Sequence, residues 1–109
     1  MPKQPDSLQG SLEFLVLKTL EGDPQHGFGI TQFIQTASDG LLRLEEGSLY
    51  PALHRMEKAK LIKGEWKVTE NGRRARYYKL TAAGRKRLLE AHEQWETLSR
   101  GIDKILRFA

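Results

Sequence analysis

Apolar residues recur at helical spacing in four stretches of the chain and alternate with polar residues in one. The helical spacing predicts helices over residues 9–21, 27–38, 46–60 and 82–107. The alternation over residues 62–68 predicts a strand with one buried face. The Asn-Gly pair at 71–72 is a strong hairpin signal, and the chain returns over 76–80. The pattern therefore predicts a mainly α protein with a small β-hairpin.

The first two predicted helices end at breaking residues. The first helix carries too many apolar residues for a thin stripe, so we expect it to lie at the centre of the fold. Gly-Asp-Pro at 22–24 ends it, and Asp-Gly at 39–40 ends the second helix. The leucines within 41–44 then predict an extended link into the third helix.

The third predicted helix has two different faces. Leu49, Leu53 and Met56 recur at i, i+4 and i+7 and form an apolar stripe. Pro51 lacks a backbone N–H and belongs in the first turn, which makes Ser48 the predicted N-cap. The outward face is cationic, aromatic and rich in hydrogen-bonding groups. Taken alone, this pattern is also typical of a surface helix packed on a core.

Basic residues are concentrated in the middle of the chain. Of the 18 Lys and Arg residues, twelve lie between His54 and Arg87, together with only three of the 14 acids. This segment therefore carries a net charge of +9, whereas the whole chain carries +4. A basic middle between acidic flanks is typical of a surface that binds phosphates.

Length and composition limit the remaining possibilities. The 109 residues predict one domain, and 39% apolar residues indicate a thin core that would gain from a partner subunit. The sequence contains no cysteine, which excludes disulfides and thiolate metal sites. No apolar stretch approaches the roughly 18 residues of a membrane span, and the first residues lack an apolar signal core. We therefore expect a cytoplasmic protein without a membrane partner.

No pattern in the sequence indicates catalysis, a metal or a cofactor. His26, His54 and His92 lie on different predicted elements, without an acid at metal-ligand spacing. The Gly-Phe-Gly sequence at 27–29 has neither a preceding strand nor a following Lys-Ser/Thr pair, so it does not predict a phosphate loop. No nucleophile–base pair or carboxylate pair is recognisable, and we expect a protein that is not an enzyme.

A heptad pattern runs along the last predicted helix. Its apolar residues, at alternating spacings of three and four, are Leu88, Ala91, Trp95, Leu98, Ile102 and Ile105. A helix over 82–107 would be about 39 Å long at 1.5 Å per residue, more than a domain of this size can cover. We therefore expect these residues to form the interface of a homodimer.

Three helices, a basic hairpin and a long C-terminal helix form the element order of a winged helix-turn-helix with a dimerisation helix. We expect a flexible arm over 1–7, a DNA-binding domain over 8–80 and a dimerisation helix over 81–109. In this architecture the third helix enters the major groove of double-stranded DNA, and the hairpin, or wing, lies beside it. A dimer would hold two reading helices about 34–36 Å apart, which suits a two-fold symmetric operator.

Side chains of the third helix and the wing are predicted to contact DNA. Arg55 suits a bidentate contact to guanine, and the basic wing tip suits phosphates or the minor groove. Two alternatives remain open, in which Tyr50 packs against the wing and Arg76 pairs with an acid along the strand. The predicted contacts are Ser48, Tyr50, Pro51, His54, Arg55, Lys58, Lys67, Arg73, Arg74 and Arg76.

Four segments resemble the PadR family of transcriptional regulators. They read LQGSLEFLVL from Leu8, HGFGI from His26, EGSLYPALHRME from Glu46 and GRRARYYKLTAAG from Gly72. The resemblance covers about residues 8–107 and concerns the short branch with one C-terminal helix. It implies a homodimeric bacterial repressor, often of a transporter or stress operon, released by a small effector. Phe28 stands where the family usually has tyrosine, so we do not predict a phosphate contact there.

Trp95 lies near the middle of the heptad pattern. In some short members of the family this place is a flat slot where planar apolar effectors stack, which implies Trp95 as a candidate effector-binding residue. Binding there would change the distance between the two reading helices and so couple the two sites. The alternative is an ordinary tryptophan packed in the dimer interface.

A second function, of a different class, is compatible with the same features. In that hypothesis the heptad helix docks on another protein and the basic face meets an acidic partner. Such a protein-interaction module would bind no specific DNA sequence, so a gel shift distinguishes the two functions.

Overall fold

The computed structural model describes residues 6–108, with side chains from residue 11 onward. The described elements are α1 (Asp6–Gly22), β1 (Gln25–His26), α2 (Gly27–Ala37), α3 (Glu46–Lys58), β2 (Ile62–Val68), β3 (Arg74–Leu80) and α4 (Ala82–Arg107). The mainly α class with a hairpin and a long last helix is therefore confirmed. Within this range, no helix is both long and apolar enough to cross a bilayer.

The first helix begins before the residue that the apolar pattern predicted. Asp6 and Ser7, expected in a flexible arm, belong to α1. Residues 1–5 of that predicted arm lie outside the described residues.

The hydrophobic core is built around α1, as its apolar composition predicted. Helices α2 and α3 pack on it, and the base of the hairpin closes the core from below. The buried apolar side chains are Leu12, Val16, Leu17, Leu20, Ile30, Ile34, Leu49, Ala52, Leu53, Met56, Leu61, Ile62, Tyr78, Leu80 and Leu88. Burial thus ends in the second turn of α4, and most of that helix lies beyond the core.

A short strand before α2 joins the hairpin. The antiparallel sheet has the order β1-β3-β2, with Gln25 paired to Tyr78 and His26 to Tyr77. Two residues after a proline show no alternation, so the sequence pattern did not predict this strand. The His26 ring also caps α2, because its Nδ1 accepts a hydrogen bond from the Gly29 amide at 3.0 Å.

The outer half of β2 lacks the buried face that its alternation predicted. Ile62 is buried, but Trp66 and Val68 are 58% and 68% exposed. The hairpin extends past the helical body, so the core can cover only its base. Arg76 and Arg74 stand opposite these two residues on β3, and their side chains cover the Trp66 ring in place of a core.

The hairpin turn spans more residues than the Asn-Gly pair. The Gly72 amide donates to the Thr69 carbonyl at 2.9 Å, and the Thr69 amide donates to the Arg73 carbonyl at 2.6 Å. Gly72 has a left-handed backbone with a φ of 78°, whereas Asn71 does not. The longer turn brings Arg73 to the tip of the hairpin.

The start of α3 differs from the prediction. Glu45 is the N-cap, and its side chain makes no capping hydrogen bond. Ser48 lies inside the first turn, so its prediction as the N-cap is wrong, and Pro51 lies in the second turn. Pro51 deprives the Gly47 carbonyl of its helical donor. Gly47 is exposed, so water can take the place of that donor.

The start of α4 is fastened to the base of the hairpin. Thr81 caps the helix as its position suggested, accepting from the Gly84 amide at 3.0 Å. The same hydroxyl lies 2.7 Å from the Lys60 carbonyl, to which it donates. On the other side, Arg87 donates to Glu13 on α1 at 3.0 Å.

The rest of α4 leaves the helical body. Beyond Ala91, which is half-buried, the predicted interface residues are open to solvent in the single chain. Their exposed fractions are 49% for Trp95, 55% for Leu98, 47% for Ile102 and 74% for Ile105. These four residues are called the seam below. A stripe of large apolar side chains this exposed is typical of an interaction surface.

Candidate nucleic-acid interface

The outward side of α3 consists of two separate stripes. One stripe is formed by Pro51, Arg55 and Lys58, which are exposed to solvent. Their spacing of four and three residues keeps them on one line of the helix surface. Because the opposite side of α3 packs on the core, this stripe is free to meet another molecule.

The second stripe faces the wing. Tyr50, His54 and Glu57 have the same spacing of four and three residues and line an open groove of about 940 Å³. The wing side of this groove is formed by Trp66, Arg73, Arg74 and Arg76. The groove therefore combines aromatic side chains with three arginines and one acid, a composition suited to a sugar-phosphate strand.

The arginines at the wing tip are held differently. Arg73 is exposed beside the turn. The Arg74 guanidinium lies 5.0 Å from the centre of the Trp66 ring, within the range of a cation–π interaction. This contact limits the directions that Arg74 can take while leaving the guanidinium open to solvent.

Arg76 pairs with an acid, as one of the two open alternatives proposed. Its Nη2 donates to Glu57 Oε2 at 2.5 Å, so the acid belongs to α3 and not to the strand. The hydrogen bond with Glu57 raises the pKa of Arg76 above its ordinary value. Burial raises the pKa of the neighbouring Tyr78, and the charge of Glu57 adds to that effect.

Tyr50 packs on the start of α2. A Cβ atom on Gly27 would lie 2.8 Å from Tyr50 Cε1 and Oη, so the ring lies directly against this glycine. Tyr50 remains 43% exposed towards the groove. The start of α2 and α3 thus approach each other closely at Gly27.

Lys67 and Ser48, which were also predicted to contact DNA, lie outside both the groove and the exposed stripe of α3. Lys67 points to the opposite face of the hairpin, where its Nζ is 5.7 Å from the centre of the Tyr77 ring. Ser48 is half-buried in the first turn of α3. Among the described residues, no group of three His, Asp or Glu side chains could hold a metal ion.

Several residues that line the groove were not predicted as contacts from the sequence, and Glu57 and Trp66 are two of them. Glu57 could have been found from its helical spacing to Tyr50 and His54. Trp66 was assigned to a buried strand face, because alternation does not tell where a hairpin leaves the core.

The chain is similar to known regulators of transcription. The model of the transcriptional regulator PadR-like family matches residues 16–90. A transcriptional regulator from Mycobacterium tuberculosis is 38% identical over 77 residues, which are 71% of this chain and 68% of that protein.

Solved structures agree with this similarity over nearly the whole chain. A transcriptional regulator from Clostridium thermocellum has a TM-score of 0.86 at 28% identity, covering 97% of this chain and 100% of that one. A PadR-like transcriptional regulator from Bacillus cereus has a TM-score of 0.84 at 28% identity, covering 96% and 100%. The winged helix-turn-helix fold predicted from the element order is therefore confirmed. The chain belongs to the PadR-like family of transcriptional regulators.

Proposed function

We propose that this regulator is a homodimeric repressor that acts in the cytoplasm on a two-fold symmetric operator and is released by a planar apolar effector. The observation that carries the proposal is the presence of two different surfaces on one small chain. One is the cationic groove between α3 and the wing, and the other is the unpartnered apolar seam of α4. A repressor that reads two half-sites needs both.

The exposed stripe of α3 is proposed to read bases. Arg55 carries a planar guanidinium that suits the two acceptors of guanine in the major groove. Pro51 and Lys58 flank it on the same line of the helix, and Ser48 and Tyr50 lie nearer the helix start. His54 lies between this stripe and the groove and lines the groove wall.

The wing is proposed to bind the DNA backbone. Arg73 and Arg74 are exposed at its tip, and Lys67 adds a charge on its other face. Contacts of this kind supply affinity and fix the register of the protein, but they carry little sequence information. Arg76 is not counted among these contacts, because its guanidinium is paired with Glu57.

The seam is proposed to pair two chains. Leu88 and Ala91 begin the heptad next to the body, and the four seam residues continue it where no part of the described chain covers them. Pairing would bury large apolar side chains, each worth about 1.5–3 kcal/mol when fully removed from water. A chain of this size has a thin core, so it obtains little of this stabilisation without a partner chain.

Trp95 is proposed to bind the effector. Its indole is half exposed in the single chain and lies one turn from Leu98 on the seam. Two copies across a two-fold axis would offer a pair of flat apolar surfaces to a planar molecule.

Selection of bound duplexes from a random DNA pool tests the proposal, together with sedimentation of the protein. We expect a consensus with two-fold symmetry and a mass of two chains. A monomer at micromolar concentration without sequence preference would instead favour the protein-interaction module.

A further inference from the structure

The ion pair between Glu57 and Arg76 differs from the other charges of the groove. Glu57 is the one acid among the described residues that line the groove, and it is paired at 2.5 Å. We propose that this pair is a tie that sets the distance between the wing and α3. Arg76 would then act on DNA as a positioning residue and not as a phosphate contact. The inference rests on the DNA-binding function proposed above.

The outer half of the wing needs such a tie because β1 and the core hold only its base. Only its base is buried, at Ile62 on one strand and at Tyr78 and Leu80 on the other. A two-stranded ribbon is marginally stable by itself in water. Among the described residues, the ion pair is the one side-chain hydrogen bond that links β2 or β3 to α3.

Gly64 opens the path that Arg76 takes across the sheet. A Cβ atom on Gly64 would lie 2.5 Å from Arg76 Nε and 2.8 Å from its Cζ. Gly64 does not have a left-handed backbone, so the glycine serves the side chain of Arg76 and not the chain direction. The displaced atoms would be the end of a flexible side chain, so an alanine here should fold but push Arg76 away from Glu57.

A tie and a purely electrostatic account predict opposite effects on DNA binding when the charge of Glu57 is removed. A free carboxylate at Glu57 would repel DNA phosphates, and Arg76 cancels that charge. If electrostatics alone governed binding, Glu57→Gln would release Arg76 and strengthen binding. If the pair is a tie, the same change weakens binding because the wing loses its position.

The experiment compares Glu57→Gln with Glu65→Gln in the full-length protein. Glu65 is exposed on β2, on the face of the hairpin opposite to Trp66 and Arg76, and both variants lose one negative charge. Binding is measured on a duplex of the selected consensus and on a random-sequence duplex of equal length. We expect Glu57→Gln to bind the consensus about 5- to 10-fold more weakly than the wild type, whereas Glu65→Gln binds both duplexes equally well or better.

Arg76→Gln and Gly64→Ala test the same ion pair from the side of the wing. Both should reproduce the loss, and Arg76→Gln should add nothing to it in the Glu57→Gln background, because one tie cannot be broken twice. The slope of log affinity against log salt should stay unchanged for Arg76→Gln. Arg74→Gln, in contrast, should reduce its magnitude by about 0.9 per lost phosphate contact.

A measurement without DNA separates this inference from the proposed function. We expect amide hydrogen exchange of the hairpin to become faster in Glu57→Gln, Arg76→Gln and Gly64→Ala but not in Glu65→Gln. Unchanged exchange, or tighter consensus binding by Glu57→Gln, overturns the tie and leaves the repressor standing. If the wild type binds no DNA, the repressor falls, and faster exchange still establishes the tie.

Discussion

Trp66 on β2 and Arg76 on β3 are cross-strand partners, and the Arg76 guanidinium lies 5.7 Å from the centre of the Trp66 ring. Arg74 lies 5.0 Å from the same ring. One indole thus contacts both of these arginines of the wing. An aromatic residue on an exposed hairpin therefore supports the charged side chains beside it.

Replacing Trp66 by leucine should weaken DNA binding while leaving the fold intact. The ring is exposed and supports Arg74, so its loss should reduce affinity about 2- to 5-fold, in line with a cation–π interaction of about 0.5–1 kcal/mol between Trp66 and Arg74. Fluorescence anisotropy with a labelled duplex measures the affinity. Trp66→Tyr, which keeps an aromatic face, is the control, and equal losses in both variants would exclude the stacking role.

Removing both arginines of the wing tip should weaken binding to all DNA sequences alike. Arg73→Ala with Arg74→Ala should reduce the magnitude of the salt slope by about 1.8, because each phosphate contact contributes about 0.9. Lys86→Ala removes an exposed cation on α4, outside the groove, and should leave the slope unchanged. A slope that survives the double change would mean that the phosphates are bound elsewhere.

Arg55→Ala should erode sequence preference more than affinity for random DNA. A lost bidentate contact to guanine costs about 1–3 kcal/mol of discrimination at one base position. Repeating the selection from a random pool with the variant shows which position becomes degenerate. Lys86→Ala, which removes an exposed cation on α4, serves as the control, and an unchanged consensus for Arg55→Ala would remove Arg55 from base reading.

An acid in the seam should separate the dimer without unfolding the DNA-binding domain. Ile102 is 47% exposed in the single chain, so Ile102→Asp creates no buried charge there, whereas it would bury one in the paired state. Sedimentation should show a monomer, and circular dichroism should show a folded domain. Arg100→Asp places the same acid on an exposed position outside the heptad and should remain dimeric. A dimeric Ile102→Asp protein would place the interface elsewhere.

Raising the pH should weaken the fold through Tyr78. Burial, and then the charge of Glu57, raises the pKa of this phenol above 10 in the folded state. The native state then holds a proton that the unfolded state releases, so the free energy of unfolding falls as the pH rises from about 10 through the folded pKa. Urea unfolding at pH 9 and pH 11 measures the fall. Tyr78→Phe should reduce it.

The sequence predicted the elements whose signals are local. The bounds of α4, the cap at Thr81 and the glycine in the turn at Gly72 all depend on residues within one turn of each other. The dimensions of a helix and the chemistry of a cap are the same in any fold, so these features need no knowledge of tertiary contacts. Family membership also confirms that the chain is a transcriptional regulator and not an enzyme.

The features that the sequence did not reveal depend on residues far apart in the chain. β1 exists because Gln25 and His26 meet the free edge of β3 some fifty residues later. The division of α3 into two outward stripes depends on where the wing lies, which apolar spacing does not encode. The partner of Arg76 was sought along the strand, but Glu57 is 19 residues away on a helix.

A single residue, Thr81, separates the end of β3 at Leu80 from the start of α4 at Ala82. Its hydroxyl also donates a hydrogen bond to the Lys60 carbonyl, which fixes the start of α4 against the base of the hairpin. In the proposed dimer, a change in the crossing angle of the two α4 helices would therefore rotate each DNA-binding domain as a rigid body. A molecule wedged between the helices could spoil the fit to both half-sites without touching either reading surface.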